Sequence, residues 1–277
     1  MMIGDSWTPL RAALKPLRGG AIAVSGGVDS TTLAAFAHDI LGADGVRMVH
    51  AISPAVPKGA TARVRDYATR LGWSLSEVDA GEFDDLRYRA NPVNRCFYCK
   101  SNLYGTLRRI CDGVIMSGTN TNDLDDYRPG LLAATNNHVR HPYVEAGMDK
   151  VAIRALARDL NLDDISELPA SPCLSSRIET GIAIQAPHLA LIDIVETWLR
   201  ETLCATTVRC RIRQQGMVIE LDPTALDALS SDQRRSIVDG AAARMPKDVA
   251  MAIDFAPYQR GSAFVSASKT LNSLKPP

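Results

Sequence analysis

The sequence predicts an α/β domain, in which helices cover both faces of a parallel sheet, followed by a small α+β domain. Short apolar strands alternate with helices through the first half of the 277-residue chain, which is the pattern of a parallel sheet. Beyond a loop rich in proline and serine, one long helix and closely spaced strands replace that alternation. We therefore expect a first domain at 1–181 and a second domain at 182–277.

The first domain is predicted to open with a helix at 8–17, after which short apolar strands and helices alternate. The strands are predicted at 20–24, 46–52, 75–78 and 114–117. The further helices are predicted at 30–41, 61–71, 99–110 and 150–160. Between the third strand and the helix after it, the stretch through Asn91 and Pro92 predicts a loop.

The second domain follows a loop at 167–181, whose sequence is ELPASPCLSSRIETG. A long helix is predicted at 187–203, then strands at 207–213 and 217–221, a helix at 225–243 and a strand at 249–254. The last residues, SASKTLNSLKPP, predict a loose tail.

Composition and charge exclude several classes of protein. Lysine plus arginine and aspartate plus glutamate both number 31, which argues against a protein that binds nucleic acid through many phosphates. There is no run of 18 apolar residues and no secretory signal near the start, so we expect no membrane span and a cytoplasmic location. The six cysteines are then expected as thiols.

A polar, glycine-rich turn, SGGVDS, separates the first predicted strand from the next helix. Backbone N–H groups of Gly26 and Gly27 can close on phosphate oxygens, and the helix N-terminus adds positive partial charge. Ser25 and Ser30 can donate hydroxyl hydrogen bonds. Asp29 fits beside a phosphate if a magnesium ion lies between them, so the segment predicts a site for a Mg²⁺-bound polyphosphate. A plain strand-to-helix turn is the alternative, and the Gly-Lys-Ser/Thr of a Walker A loop is absent from this segment.

The segment resembles the PP-loop ATP pyrophosphatases, whose signature is SGGxDS at this position. The resemblance implies that the chain binds ATP, cleaves it between the α and β phosphates, and forms an adenylated substrate and pyrophosphate. A second match, VIMSGTNTNDLDDYRPG, follows the strand at 114–117. By the same resemblance, Gly118 in this segment is expected to lie against the nucleotide.

Three cysteines stand in polar contexts. Cys96 and Cys99 form a Cys-x-x-Cys pair, which alone is compatible with a redox pair, a zinc site or an iron–sulfur cluster. Cys173 lies in the loop rich in serine and proline, four residues before Arg177. A thiol near an arginine can have a lowered pKa and be reactive, although an incidental exposed cysteine is the alternative.

The segments NPVNRCFYCK, DLDDYRPGL, YVEAGMDKVAIRALARDL and PASPCLSSRI are together similar to the LarE family. These enzymes are ATP-dependent sulfur transferases that convert a carboxylate of pyridinium-3,5-dicarboxylic acid mononucleotide to a thiocarboxylate, in the biosynthesis of the nickel-pincer nucleotide cofactor. In one version of the family, a single cysteine at the position of Cys173 gives up its own sulfur. In the other, three cysteines hold a 4Fe-4S cluster with one iron open for sulfide.

Because this chain has all three cysteines, the resemblance implies the cluster version. Cys96, Cys99 and Cys173 are then the cluster ligands and act in catalysis together with Asp29. ATP, Mg²⁺ and the cluster are the implied cofactors. The implied partners are the pyridinium nucleotide, a sulfide donor and further copies of the chain in a homo-oligomer, with no nucleic acid and no membrane.

Basic residues in the second domain are candidate substrate ligands. Arg209 and Arg211 alternate on one face of a predicted strand, and Glu220 is expected on the neighbouring strand. Guanidinium groups suit a phosphate or a carboxylate, so these residues, with Arg177 and Arg260, are expected to bind substrate. Ordinary surface arginines on an exposed strand are the alternative.

Three other functions remain open at this stage. A tRNA-thiolating enzyme would also combine a PP-loop with a three-cysteine cluster, but the balanced charge argues against it. An amide-forming PP-loop ligase would leave the cysteines incidental or bound to zinc. A nucleotide-binding module that only senses ATP is disfavoured by the intact Ser25, Asp29 and Ser30.

Overall fold

The computed structural model describes residues 7–124, 128–246 and 251–264. Their helices, in chain order, are α1 (Thr8–Leu14), α2 (Val28–Leu41), α3 (Lys58–Leu71), α4 (Leu86–Arg89), α5 (Arg95–Ile110), α6 (Pro129–Asn136), α7 (Pro142–Glu145), α8 (Lys150–Asp159), α9 (Asp163–Ser166), α10 (Ala186–Thr202), α11 (Pro223–Asp227) and α12 (Ser231–Ala242). Their strands are β1 (Gly20–Ala23), β2 (Val46–Ala51), β3 (Ser74–Val78), β4 (Ile115–Met116), β5 (Val208–Arg213), β6 (Gly216–Leu221) and β7 (Ile253–Pro257).

The chain divides into two units by its internal contacts. The first unit extends through Asp85 and resumes at Asn94–Ser171, and the second comprises Leu86–Val93 and the chain from Pro172 onward. The segment Leu86–Val93 therefore belongs to the second unit although it lies within the first in sequence. The domain boundary after residue 181 stays a prediction.

A parallel sheet forms the centre of the first unit. Within the described residues its strand order is β3-β2-β1-β4, and each neighbouring pair is parallel. Ile22 at the middle of β1 is in register with Met48 of β2 and Met116 of β4. The short strands and the helices between them confirm the α/β fold expected from the sequence.

The sheet is apolar on both faces because successive strand residues point to opposite sides. Ile22 and Met48 pack in one buried cluster with apolar residues of α1, α2 and α8. Ala21 and Ile115 pack in a second cluster with apolar residues of α5 and α6. This burial on both faces explains why β1 and β4 are continuously apolar, whereas β3, at one edge, carries Ser74, Ser76 and Glu77.

Several helices differ from the sequence prediction. The helix predicted at 99–110 begins at Arg95, so both cysteines of the Cys-x-x-Cys pair lie inside it. The helix predicted at 30–41 begins at Val28, which places Asp29 in its first turn. Helices α4, α6, α7 and α9 were not predicted, since each is short and lies in a stretch that reads as loop.

The second unit contains a mixed sheet of order β5-β6-β7 within the described residues. Strands β5 and β6 are antiparallel and β7 is parallel to β6, while α10 packs against β5. The helix predicted at 225–243 is wrong as a single helix: it is divided into α11 and α12. Ser230 and Gln233 form a capping box that starts α12. The strand predicted at 249–254 lies at Ile253–Pro257 in its described part, and the tail at 266–277 falls outside the described residues.

Of the helices within residues 7–124, 128–246 and 251–264, none combines the length and the apolar character needed to cross a bilayer.

Candidate functional site

The SGGVDS segment, residues 25–30, runs from the end of β1 into the first turn of α2 and closes on itself. The backbone N–H of Ser25 donates to the hydroxyl of Ser30 at 3.0 Å, and the two hydroxyl oxygens are also 3.0 Å apart. Gly26 has a φ of +78°, and a Cβ there would lie 2.6 Å from the carbonyl oxygen of Ala60. Only glycine fits this backbone conformation and this close approach of α3.

Gly118, at the end of β4, lies against the start of α2. A Cβ at this position would lie 2.8 Å from the backbone nitrogen of Ser30 and 2.9 Å from the carbonyl carbon of Asp29. Because β1 and β4 are adjacent and parallel, their carboxyl ends meet at one edge of the sheet. The structure thus brings together the two segments that the sequence singled out as nucleotide ligands.

Asp29 has a cationic partner that the sequence analysis missed. The ammonium of Lys150, the first residue of α8, lies 2.7 Å and 2.5 Å from the two carboxylate oxygens. The amide of Asn120 is 3.4 Å from the same carboxylate, and the Tyr143 hydroxyl donates to the Asp29 carbonyl at 3.1 Å. Burial raises the pKa of Tyr143, so its hydroxyl stays protonated and able to donate.

The sequence carries no local signal that pairs Lys150 with Asp29. Asp149 is the N-cap of α8 and accepts from the backbone N–H of Ala152 at 2.8 Å. This carboxylate already offsets a cation placed at the positive end of the helix dipole. Lys150 therefore does not by itself indicate a second acidic partner.

Cys96 lies in the first turn of α5 and Cys99 begins the second, and residues three apart share one face of a helix. Cys96 is exposed and Cys99 is partly buried. A cleft of about 270 Å³ lies beside this turn, lined by residues that include Phe97, Tyr98 and Leu132. The rings of Phe97 and Tyr98 meet edge to face, with centroids 5.5 Å apart. Both cysteines of the pair are therefore at least partly accessible within the first unit.

Cys173 belongs to the second unit and is exposed. Arg177, four residues later, is buried, and its guanidinium forms hydrogen bonds with neighbouring residues of the second unit. Its Nη1 donates to the carbonyl oxygens of Pro172 at 2.5 Å and Cys173 at 3.2 Å. Its Nε and Nη2 donate to both carboxylate oxygens of Glu196, at 2.9 Å and 3.1 Å. These contacts favour a role in positioning Cys173, and direct substrate binding by Arg177 stays a prediction.

Arg211 and Glu220 form a second buried ion pair in the same unit. Arg211 Nε lies 3.0 Å from Glu220 Oε2, and its Nη1 donates to the Ser176 carbonyl at 2.9 Å. Glu220 also accepts from Arg213 at 3.0 Å and from the hydroxyl of Ser262. The predicted substrate ligands Arg211 and Glu220 therefore have partners within the fold.

Arg209 and Arg260 differ from that buried pair. Arg209 is partly exposed, lies over the Tyr258 ring at 5.9 Å, and donates to the Val208 carbonyl at 2.7 Å. Burial lowers the pKa of Arg209 below the ordinary value of an arginine. Arg260 is exposed in the turn after β7. Of the predicted basic substrate ligands, these two have the side chains most open to solvent.

The predicted ligands of a metal centre are the thiols of Cys96, Cys99 and Cys173. Among the residues that the structure describes, no three His, Cys, Asp or Glu side chains are gathered closely enough to hold a metal ion. Thiolates are nevertheless the usual ligands of iron–sulfur clusters, and Cys96, Cys99 and Cys173 are all at least partly accessible. The chemistry of the donor set fits a cluster, and its ligation by these three residues stays a prediction.

Comparison with known proteins gives a consistent result. No family model matches the chain. An uncharacterized protein of Synechocystis sp. is 35% identical over 235 residues, covering 83% of this chain and 87% of that protein. Pyridinium-3,5-bisthiocarboxylic acid mononucleotide synthase of Lactiplantibacillus plantarum is 32% identical over 216 residues, covering 76% of this chain and 78% of the synthase. An uncharacterized protein of Methanocaldococcus jannaschii is 29% identical over 136 residues, covering 48% of this chain and 52% of that protein.

The match to the synthase extends far beyond the glycine-rich loop, since it covers more than three quarters of both chains. The parallel sheet, with its glycine-rich loop at the carboxyl end of β1, is consistent with the same family. The chain is therefore an enzyme of the LarE-type family of sulfur transferases.

Proposed function

We propose that this enzyme uses Mg²⁺-bound ATP to adenylate a carboxylate of pyridinium-3,5-dicarboxylic acid mononucleotide and then converts that carboxylate to a thiocarboxylate. The observation that carries the proposal is the closed SGGVDS loop at the N-terminus of α2, with Gly118 and Lys150 beside it. The printed name of the L. plantarum relative supports the product, because that enzyme makes a bisthiocarboxylic acid.

In the first half-reaction, a carboxylate oxygen of the substrate attacks the α-phosphorus of ATP. The bond from that phosphorus to the bridging oxygen breaks, and pyrophosphate leaves with the electron pair. Backbone N–H groups of the loop and the hydroxyls of Ser25 and Ser30 bind phosphate oxygens. Asp29 would hold Mg²⁺, which would supply positive charge at the phosphates, and Lys150 adds a positive charge of its own for the departing pyrophosphate.

In the second half-reaction, sulfide from an external donor attacks the activated carboxyl carbon and AMP leaves. We propose that Cys96, Cys99 and Cys173 hold a 4Fe-4S cluster for this step. When bound, the cluster supplies an iron without a protein ligand, at which sulfur can be delivered. Arg177 and Glu196 hold the backbone of Cys173 in place.

The substrate phosphate is assigned to Arg209 and Arg260, which are the more exposed of the candidate cations. Arg211 and Glu220 then act by holding β5, β6 and the Ser176 backbone. A homo-oligomer and a cytoplasmic location are part of the same proposal.

The reaction itself is tested with protein purified without oxygen. The enzyme is mixed with the pyridinium dicarboxylate, ATP, Mg²⁺ and sulfide, and pyrophosphate, AMP and the mass of the pyridinium product are measured. Exchange of one carboxylate oxygen for sulfur is expected, together with pyrophosphate. Turnover of ATP that requires tRNA, or that uses ammonia to form an amide, would instead assign the chain to a thiolating or an amide-forming PP-loop enzyme.

The cluster is tested by iron and acid-labile sulfide in the same preparation. About four irons per chain are expected, with loss in Cys96→Ala. Cys204→Ala is the matched control, because Cys204 is also exposed and is not a proposed ligand. An iron-free protein with full activity would remove the cluster from the mechanism and direct attention to Cys173 as a sulfur source.

A further inference from the structure

His50 of β2 is a buried side chain that the reaction described above does not use. Its exposed fraction is 1%. Nδ1 lies 2.8 Å from the carbonyl oxygen of Val24, and Nε2 lies 2.9 Å from the hydroxyl of Thr61 on α3. A carbonyl can only accept, so the proton is on Nδ1. Burial lowers the pKa of His50, so the ring is neutral and its Nε2 accepts from Thr61.

The Val24 carbonyl, which His50 binds, belongs to the peptide bond between Val24 and Ser25, at the start of the SGGVDS loop. In a planar trans peptide, the N–H points opposite to the carbonyl. The N–H of this peptide is that of Ser25, which donates to Ser30 Oγ at 3.0 Å. Fixing the Val24 carbonyl from β2 therefore fixes the direction of the Ser25 N–H toward the hydroxyl that closes the loop.

A second carbonyl of the loop is held in the same way from α3. Arg63 Nη1 donates to the Gly26 carbonyl at 2.8 Å. The N–H of that peptide belongs to Gly27, and its nitrogen lies 3.4 Å from Ser25 Oγ. Side chains from β2 and α3 thus bind alternate carbonyls, while the N–H groups of the same peptides are turned to the other side.

We propose that His50 is a positioning residue for ATP. Its neutral imidazole, supported by Thr61, binds the Val24 carbonyl and so orients the loop whose N–H groups receive the phosphates. This inference rests on the proposed use of ATP by the loop. The residue acts on the bound nucleotide through the loop and makes no contact with the reacting carboxyl. Replacing His50 is therefore expected to raise the KM for ATP more than it changes kcat.

Two substitutions separate the hydrogen bond from the bulk of the ring. In His50→Asn the side-chain amide nitrogen takes the place of Nδ1 and can still donate to Val24. In His50→Gln the amide nitrogen takes the place of Nε2 instead, so the donor to the Val24 carbonyl is lost. Pyrophosphate exchange into ATP, with the pyridinium dicarboxylate present as the adenylyl acceptor, gives KM and kcat for each variant, and thermal unfolding shows whether each remains folded.

We expect His50→Gln to raise the KM for ATP about tenfold with kcat changed less, the size of one lost hydrogen bond. We expect His50→Asn to restore the KM to within about threefold of wild type, since the donor is kept. His138→Gln is the control for the same change at an exposed histidine and is expected to leave KM unchanged.

The inference and the proposed function fail differently. If the wild type exchanges pyrophosphate but the His50→Asn and His50→Gln variants have equal KM values, the positioning role is overturned and the use of ATP stands. Equal loss in both variants, in step with their thermal unfolding, also overturns it. A wild-type protein that neither binds ATP nor exchanges pyrophosphate overturns the proposed function, and the inference with it.

Discussion

The ammonium of Lys150 lies within 2.7 Å of both carboxylate oxygens of Asp29, although 121 residues separate them in sequence. The pair joins the first residue of α8 to the first turn of α2 within the first unit. The side chains are 32% and 31% exposed, so both remain accessible to a ligand. A magnesium ion at Asp29 would release the ammonium for a phosphate oxygen.

Lys150→Ala is therefore expected to lower kcat/KM for ATP by about 10²-fold, because one positive charge is lost where pyrophosphate departs. Pyrophosphate exchange into ATP measures the effect. Lys150→Arg should recover part of the activity. Lys15→Ala, at an exposed lysine away from the loop, should leave kcat/KM for ATP unchanged. A fully active Lys150→Ala enzyme would leave Lys150 a purely structural partner of Asp29.

Gly118→Ala is expected to push apart β4 and the start of α2. The added Cβ would lie 2.8 Å from the backbone nitrogen of Ser30, which cannot move without moving the loop. We expect a loss of about 1–3 kcal/mol in the free energy of unfolding, together with weaker ATP binding. Denaturant unfolding and a nucleotide titration measure the two effects.

The matched control is Gly105→Ala in α5, where no atom beyond the adjoining backbone of the helix lies within 4 Å of the new Cβ. Because alanine favours a helix, this variant should be stabilised by about 0.5–1 kcal/mol. Gly118→Ala with wild-type stability and ATP affinity would contradict the close approach.

Arg177→Met tests whether the buried ion pair is structural. Both Arg177 and Glu196 are 1% exposed, so removing Arg177 leaves the buried Glu196 carboxylate with the half-exposed Arg200 as its remaining described ion-pair partner. We expect a loss of about 3–5 kcal/mol in the free energy of unfolding, measured by denaturant titration. Arg235→Ala, at an exposed arginine of α12, should change it by less than about 0.5 kcal/mol. If Arg177→Met is as stable as wild type but binds substrate poorly, direct substrate binding is favoured instead.

Asp222 should make the second unit sensitive to acid. Hydrogen bonds from the backbone N–H groups of Ala225 and Thr207 lower the pKa of its carboxyl below 3.8. Because the folded pKa is depressed, its stabilisation is full above the unfolded pKa and is lost as pH falls through the folded pKa. Asp222→Asn should therefore differ most from wild type near neutral pH. The difference in unfolding free energy should shrink below about pH 4, and an unchanged difference at pH 3 would contradict this role.

The sequence predicted the first unit well where local pattern and chemistry coincide. The SGGVDS loop lies between a strand and a helix as expected, and Gly118 meets it because adjacent parallel strands end at one edge. Lys150 was missed because its pairing with Asp29 depends on how α8 packs against α2. No local spacing encodes a contact at that separation in sequence.

In the second unit, the sequence predicted the charged residues but not how the fold pairs them. The sequence identifies Arg177 and Arg211 as cations, but cannot tell that Glu196 and Glu220 neutralise them inside the fold. The division between α11 and α12 was readable, since Ser230 and Gln233 have the spacing of a capping box. Because the residues on both sides of Ser230 favour a helix, the pattern predicted one helix where the structure has two.

The placement of Leu86–Val93 with the second unit has a consequence for how this polypeptide can be divided. Asn91 of that segment donates to the carbonyl oxygens of Glu179 and Ile182 at 2.9 Å, and Tyr88 bonds Ser175 at 2.6 Å. A fragment ending at Ser171 would retain Asn91 and Tyr88 but lose all three of these partners. The first unit therefore cannot be excised by a single cut, and domain exchange between relatives must carry Leu86–Val93 together with the Cys173 loop.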